Sequence, residues 1–309
     1  MKIFLLCVFN TILSSSIAAA QVNYNQFRGV ACHNCYERTR AKDITEVLAY
    51  TTTLELDIWD SRQFSSGSGG TLDKDWFVRH FPHDKGNLNC CGGTLKDCLN
   101  RINQWSNNNP THTVITIYID KKENWSGENE TRTPRDLDEL LLSVFSRKKI
   151  FIPSDLRKSE ATLKEAADNN LWPDINSLKG KFLFVLTDAT ITLPFVPEPN
   201  PLNDYLSNRK ESSVCFVAPE ITSDMEITKP SKIDLSNSNS IVFFNIKYQN
   251  SSYLLNFLRQ ENYVSRIFGS PETAEALHSL LQEGATFVAL GNYKLKSDIK
   301  IEKRKTRNR

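Results

Sequence analysis

Apolar positions recur along this chain in two rhythms. Short runs rich in Val, Ile, Phe and Thr fall at 27–33, 51–59, 76–80, 113–120, 181–187, 214–217, 241–246, 263–268 and 286–290. That composition and length predict β-strands. Between them the spacing turns helical. After Thr94, residues Leu95, Cys98, Leu99, Ile102 and Trp105 share one face, and Asp97 completes a capping-box pattern. Thr133 before Pro134 marks another helix start, and Ser270 before Pro271 predicts a third, for a helix ending at Gly284. Strand–helix alternation of this kind predicts an α/β fold with parallel strands, best met by an eight-stranded TIM-type barrel. Nine runs compete for eight places, so one is an extra or edge strand.

The first residues break the pattern. Met1 and Lys2 precede an apolar stretch over 3–13, which is too short to span a bilayer, and Ala18-Ala19-Ala20 follows. This predicts a signal peptide over 1–20, cleaved after Ala20, and an extracellular protein. The remainder has room for one large α/β domain or two small ones, and the alternation favours one, over 21–293. Loops 65–70 (Gly/Ser-rich), 122–135 (polar) and 188–204 (Pro-rich) punctuate it. The last either touches lipid at a rim or is a plain connection.

With 38 Lys/Arg against 36 Asp/Glu, the balance argues against nucleic acid as the main partner. Residues 294–309 hold eight Lys/Arg and two acids. This basic tail is either a solvated, frayed end or a contact with an anionic membrane, each basic residue near the surface adding about 1 kcal/mol. Beyond Cys7, six cysteines remain: Cys32, Cys35, Cys90, Cys91, Cys98 and Cys215. In an exported protein these read as disulfides, with no pairing fixed by the sequence. Zinc is disfavoured, because Cys90 and Cys91 are adjacent. Asn124, Asn129 and Asn250 are glycan acceptors if the host is eukaryotic.

Chemistry gathers at strand ends. In the second run Glu55 and Asp57 lie two apart, so both point to one face while Leu54, Leu56 and Ile58 point away. Two acids on one face call either for ordinary ion pairs or for a hard divalent cation. His33 and Asn34 close the first run, His80 the third, and Asp120 the fourth, with Lys122 just after. In a parallel barrel such ends meet at one mouth. Asn34, Glu55, Asp57 and Asp120 supply oxygens suited to Ca²⁺, and His33 and His80 an acid–base pair for a phosphodiester. His112 belongs to the opposite face, His278 to a helix, and His83 is a weak candidate.

These residues resemble the phosphatidylinositol-specific phospholipase C superfamily. His33-Asn34-Cys35-Tyr36 is similar to its first motif, Glu55-Leu56-Asp57-Ile58-Trp59-Asp60 to its second, and Val78-Arg79-His80 to its third. The exported calcium-dependent group is the nearest match, through Trp172-Pro173-Asp174 and Arg266-Ile267-Phe268-Gly269 among others. The resemblance implies a distorted (β/α)8 barrel. It implies Ca²⁺ on Asn34, Glu55, Asp57 and Asp120, catalytic His33 and His80, and Lys122 and Arg266 on the substrate. It implies cleavage of phosphatidylinositol or a related phosphoinositide at a membrane surface by a monomer. Two departures stand out: Asp120 where Glu is usual, and Cys35 where a small hydroxyl residue is common. Other readings are a barrel enzyme for glycerophosphodiesters or sphingolipids, a phospholipid-binding protein without turnover, and, on Cys32 and Cys35, a thiol-redox protein.

Overall fold

All nine apolar runs form strands: β1 (Gly29–Cys32), β2 (Thr53–Trp59), β3 (Phe77–Val78), β4 (Ile115–Lys121), β5 (Phe182–Thr187), β6 (Phe216–Ala218), β7 (Phe243–Lys247), β8 (Val264–Phe268) and β9 (Phe287–Leu290). The computed structural model describes residues 21–60, 74–81, 88–90, 93–125, 132–188 and 200–296. The expected signal peptide, the 65–70 loop, His83, Cys91, Asn129 and nearly all of the basic tail lie outside these residues. So does most of the Pro-rich loop.

Eight strands run parallel in the order β6-β5-β4-β2-β1-β9-β8-β7. The two ends meet through one parallel bridge between Glu220 and Asn245, so the sheet is a nearly closed (β/α)8 barrel. The run at 76–80 is the extra one. β3 pairs antiparallel with β2, Ile58 opposite Val78 and Trp59 opposite Phe77. It is therefore not a barrel stave, which corrects the expectation of four neighbouring parallel ends. Its chain turns back down along the end of β2, and that turn carries His80 to the mouth.

The longer helices pack their apolar stripes on the barrel's outside. Leu95–Asn108 buries Leu95, Cys98, Leu99 and Ile102, and Thr94 Oγ1 accepts from Asp97 N. Pro134–Val144 opens with a full capping box between Thr133 and Asp136. The helix Ala274–Glu283 starts three residues later than expected, because Thr273 rather than Ser270 caps it, and it ends at Gly284 with φ 118°. Thr273 accepts from Ala276 N, and that bond outranks proline's preference for a first turn. Among the described residues no helix is long and apolar enough to cross a membrane.

Inside the barrel the bottom is aromatic. Tyr24, ahead of β1, stacks on Trp172 at 5.7 Å and lies 6.2 Å from both Phe243 and Phe287. Its hydroxyl shares a 2.8 Å hydrogen bond with Thr116. Above this layer lies Tyr118, and above Tyr118 the interior turns polar.

Candidate active site

Register brings the acids together. β2 and β4 align Glu55 with Tyr118 and Asp57 with Asp120. Parallel partners point to the same side, so Glu55, Asp57 and Asp120 all enter the barrel. All three are buried, and their oxygens lie within 4.8 Å of one another. Three carboxylates this close need cations beside them. Arg266 of β8 lies over the Tyr118 ring at 5.0 Å and donates from Nη2 to Glu55 Oε1 at 2.5 Å and from Nη1 to Asn245 Oδ1 at 3.0 Å. Lys122 Nζ sits between the other two, 2.6 Å from Asp120 Oδ2 and 3.2 Å from Asp57 Oδ2.

The histidines stand at the rim of this cluster. His33 Nε2 is 3.5 Å from Glu55 Oε2, and His80 Nδ1 is 3.3 Å from Asp57 Oδ2. Both rings are more than a third exposed while both acids are buried, so each imidazole is held from below and open above. Asn34 joins the two. Its backbone N–H points at Glu55 Oε2 at 3.4 Å, and its Nδ2 lies 3.2 Å from His80 Nδ1. The Tyr36 hydroxyl donates to its Oδ1 at 3.3 Å. Asn34 has φ 55°, a left-handed conformation that Asn tolerates better than most residues. It is the second residue past β1, and Cys32 and Cys35 are bridged across the turn, their Cα atoms 5.6 Å apart. Cys90 pairs with Cys98, while Cys215 is a buried free thiol, so the cysteines do not all form disulfides.

Charge decides the ionisation. Burial pushes Asp57 up, but Lys122, His80 and His33 outweigh it and hold Asp57 below the usual carboxylate range. Its hydrogen bond to Asp57 raises His80. Burial, together with the charges of Asp57 and Glu55, lifts Asp120 to about 6 against the pull of Lys122.

The donor set fits a hard divalent cation. Every ligand atom is oxygen, three of the groups are carboxylates, and Asp57 Oδ1 is buried with no hydrogen-bond partner. The three acids gather around one point, with Lys122, Arg266 and the rim histidines as the cationic groups beside them. All eight expected site residues converge here. Lys122 and Arg266, expected on the substrate, are engaged with the acids.

The sequence reading missed Asn245 and Asp188. Asn245 of β7 supports Arg266 and donates from Nδ2 to Thr187 Oγ1 at 3.0 Å. Asp188 is a buried carboxylate just past β5. Its signal was available: an acid ending an apolar run, as Asp120 does.

A family model for the Ca²⁺-dependent phosphoinositide phospholipase C matches residues 83–220, which include Asp120, Lys122 and Asp188. The chain is 31% identical to the calcium-dependent phosphoinositol-specific phospholipase C of a Gram-negative Pseudomonas species, described as an apo form, myoinositol complex. That match covers 90% of this chain and 93% of that one, with a TM-score of 0.80. A second crystal form of the Pseudomonas protein matches at 30% identity and TM-score 0.80, over 89% and 92% of the two chains. A Ca²⁺-dependent phosphatidylinositol-specific phospholipase C from Streptomyces antibioticus shares the fold at 22% identity and TM-score 0.74, over 88% and 96%. No curated protein matches the sequence.

Proposed function

This chain belongs to the Ca²⁺-dependent phosphoinositide phospholipase C family of phosphodiesterases, and from that premise we propose that it cleaves phosphatidylinositol or a related phosphoinositide outside the cell. The products are diacylglycerol and an inositol phosphate. The observation that carries this reading is the paired support of the two histidines. His33 rests on Glu55 and His80 on Asp57, at either side of an oxygen-rich cluster with an unmet carboxylate oxygen.

Asn34, Glu55, Asp57 and Asp120 would hold the calcium ion. When bound, calcium offsets charge on phosphoryl oxygens and eases deprotonation of a nearby hydroxyl. The chain's own residues supply the rest. The inositol 2-hydroxyl attacks phosphorus as the bond to the diacylglycerol oxygen breaks. The hydroxyl proton passes to His33, which Glu55 orients, or to Glu55 or Asp57 themselves. His80 enters protonated, because Asp57 stabilises its imidazolium, and gives its proton to the leaving oxygen. The first product is a cyclic phosphate, and the same pair with exchanged roles opens it with water. Lys122 pairs with Asp120 and Asp57, Arg266 pairs with Glu55, and both cations would lie beside the phosphate and contact it. The substrate reaches the mouth from a membrane surface, with the protein a peripheral monomer.

The test is release of inositol phosphate from phosphatidylinositol vesicles, with Ca²⁺ and then with chelator, beside His80→Ala. Release that needs both calcium and His80 is the expected result. Calcium-independent release removes the ligand roles, and no release from folded protein points to another headgroup or to binding alone.

A further inference from the structure

The outer layer of the barrel is thin between β6 and β7. Each strand of such a barrel is ordinarily followed by a helix, but here the chain forms only the short turns Met225–Thr228 and Ser238–Ser240. On the outside of β6, toward the strand starts and away from the mouth, lies a cavity of about 390 Å³. Phe216 points into the barrel against Trp172, so its neighbour Val217 points outward to the cavity. Leu163 and Leu206 of the helices Leu163–Asp168 and Pro201–Arg209 complete an apolar wall. The rest of the lining is polar and cationic. Ser154, Ser213, Asn239 and Ser240 make no side-chain hydrogen bond among the described residues, and the Lys210 ammonium has no partner among them. Arg157 pairs with Glu211, whose side chain is mostly exposed and free to swing away. The backbone adds a second observation. Lys210 ends the helix Pro201–Arg209 at φ 43° and ψ −122°. Lys158, next to Arg157, ends the helix Pro153–Arg157 at φ 53° and ψ −115°. Glycine takes such angles at little cost and lysine does not. Both places keep a cation where glycine would fit the backbone better.

We propose that this cavity binds a small phosphorylated polyol, at a site separate from the mouth. Its volume lies in the range of small-ligand pockets. A phosphate suits an arginine fork and a free lysine side by side. Serine hydroxyls and an asparagine amide donate and accept, as the hydroxyls of a polyol require. Phe216, the aromatic residue of the lining, is 1% exposed, so no ring face is open to stack a nucleotide base. The soluble product of the reaction above belongs to this ligand class. That choice of source rests on the phospholipase reading, whereas the site does not.

The experiment titrates leucine-methyl-labelled protein with inositol 1-phosphate, inorganic phosphate and myo-inositol, read by NMR. Saturable shifts of the Leu163 and Leu206 methyls are expected with inositol 1-phosphate. Inorganic phosphate should bind there about tenfold more weakly, and myo-inositol should leave these methyls unmoved at the same concentrations. Arg157→Gln and Lys210→Gln should each weaken inositol 1-phosphate binding about tenfold. Lys210→Gly should weaken it as much without lowering the melting temperature, because charge and strained side chain go together. No saturable shift of these methyls in the wild type overturns the site. Shifts undiminished in the variants overturn the role of the two cations, and equal binding of inorganic phosphate overturns the polyol assignment. Binding here by a protein that releases no inositol phosphate from vesicles overturns the product as the source and leaves the site standing.

Discussion

Two buried acid clusters in this barrel have opposite characters. On the outer layer, Asp138 of the helix Pro134–Val144 accepts from Tyr205 Oη at 2.6 Å, Arg209 Nε at 2.7 Å and Val214 N at 3.4 Å. Tyr205 Oη in turn accepts from Val214 N and Cys215 N, at 3.1 and 2.9 Å. The cluster joins two helices to the start of β6, and both carboxylate oxygens are met. At the mouth, Glu55, Asp57 and Asp120 are as deeply buried, yet Asp57 Oδ1 is unmet. Both clusters use an arginine and a deeply buried carboxylate, so neither burial nor pairing separates structure from function. Completeness does. A cluster that only holds the fold closes on itself, and one that receives something stays open.

The largest effect should come from the open cluster's rim. His80→Gln or His33→Gln should lower turnover by about 10²- to 10⁴-fold while leaving the melting temperature nearly unchanged, read by phosphodiesterase assay and thermal melts. The closed cluster should behave in reverse. Asp138→Ala strands Arg209 and Tyr205, so urea unfolding should show a loss of about 3 kcal/mol with normal activity per folded molecule. Asp57→Asn sharpens the contrast. It should abolish stabilisation by Ca²⁺, and the metal-free protein should also melt somewhat lower at neutral pH, because the stabilising contacts of the ionised Asp57 with Lys122 and His80 are lost.

Titration adds a smaller effect. Hydrogen bonding to Asp57 holds His80 above 6.5, and Asp57 itself is held below 3.8 despite its burial. The pair's stabilisation should thus be fullest between those values. It should fade as pH rises through the raised His80 value, and again as pH falls through the lowered Asp57 value. An NMR titration of the imidazole should find the His80 value lowered in Asp57→Asn. The smallest expected change is a neutral control: Thr133→Ala removes a helix cap and should cost about 1 kcal/mol without altering activity.

Much of this was legible in the chain because period-two apolar runs and strand-end polar residues are local signals. Glu55 and Asp57 share a face by spacing alone, and parallel alternation places their strand's end at the mouth. The direction of β3 was not legible. Two residues carry no orientation signal, and only their pairing with Ile58 and Trp59 sets it. The cap at Thr273 was hidden by a competing proline signal two residues earlier. Which cysteines pair depends on which loops approach, as does the distance from Lys122 to Asp57. Asp188 was overlooked because it was read as the first residue of a loop.

The aromatic floor turns the barrel into a vessel with a single door. Tyr24, Trp172, Phe243 and Phe287 fill the end away from the carboxylates, and the Tyr24 hydroxyl is tied to Thr116. Among the described residues these rings close the lower end. On the function proposed above, headgroup, water and both products would share one doorway, and on a bilayer that doorway would face lipid. A soluble product would then leave only once the protein tilts or lifts from that surface. Traffic at the threshold, rather than bond cleavage, would then be the brake on successive turnovers.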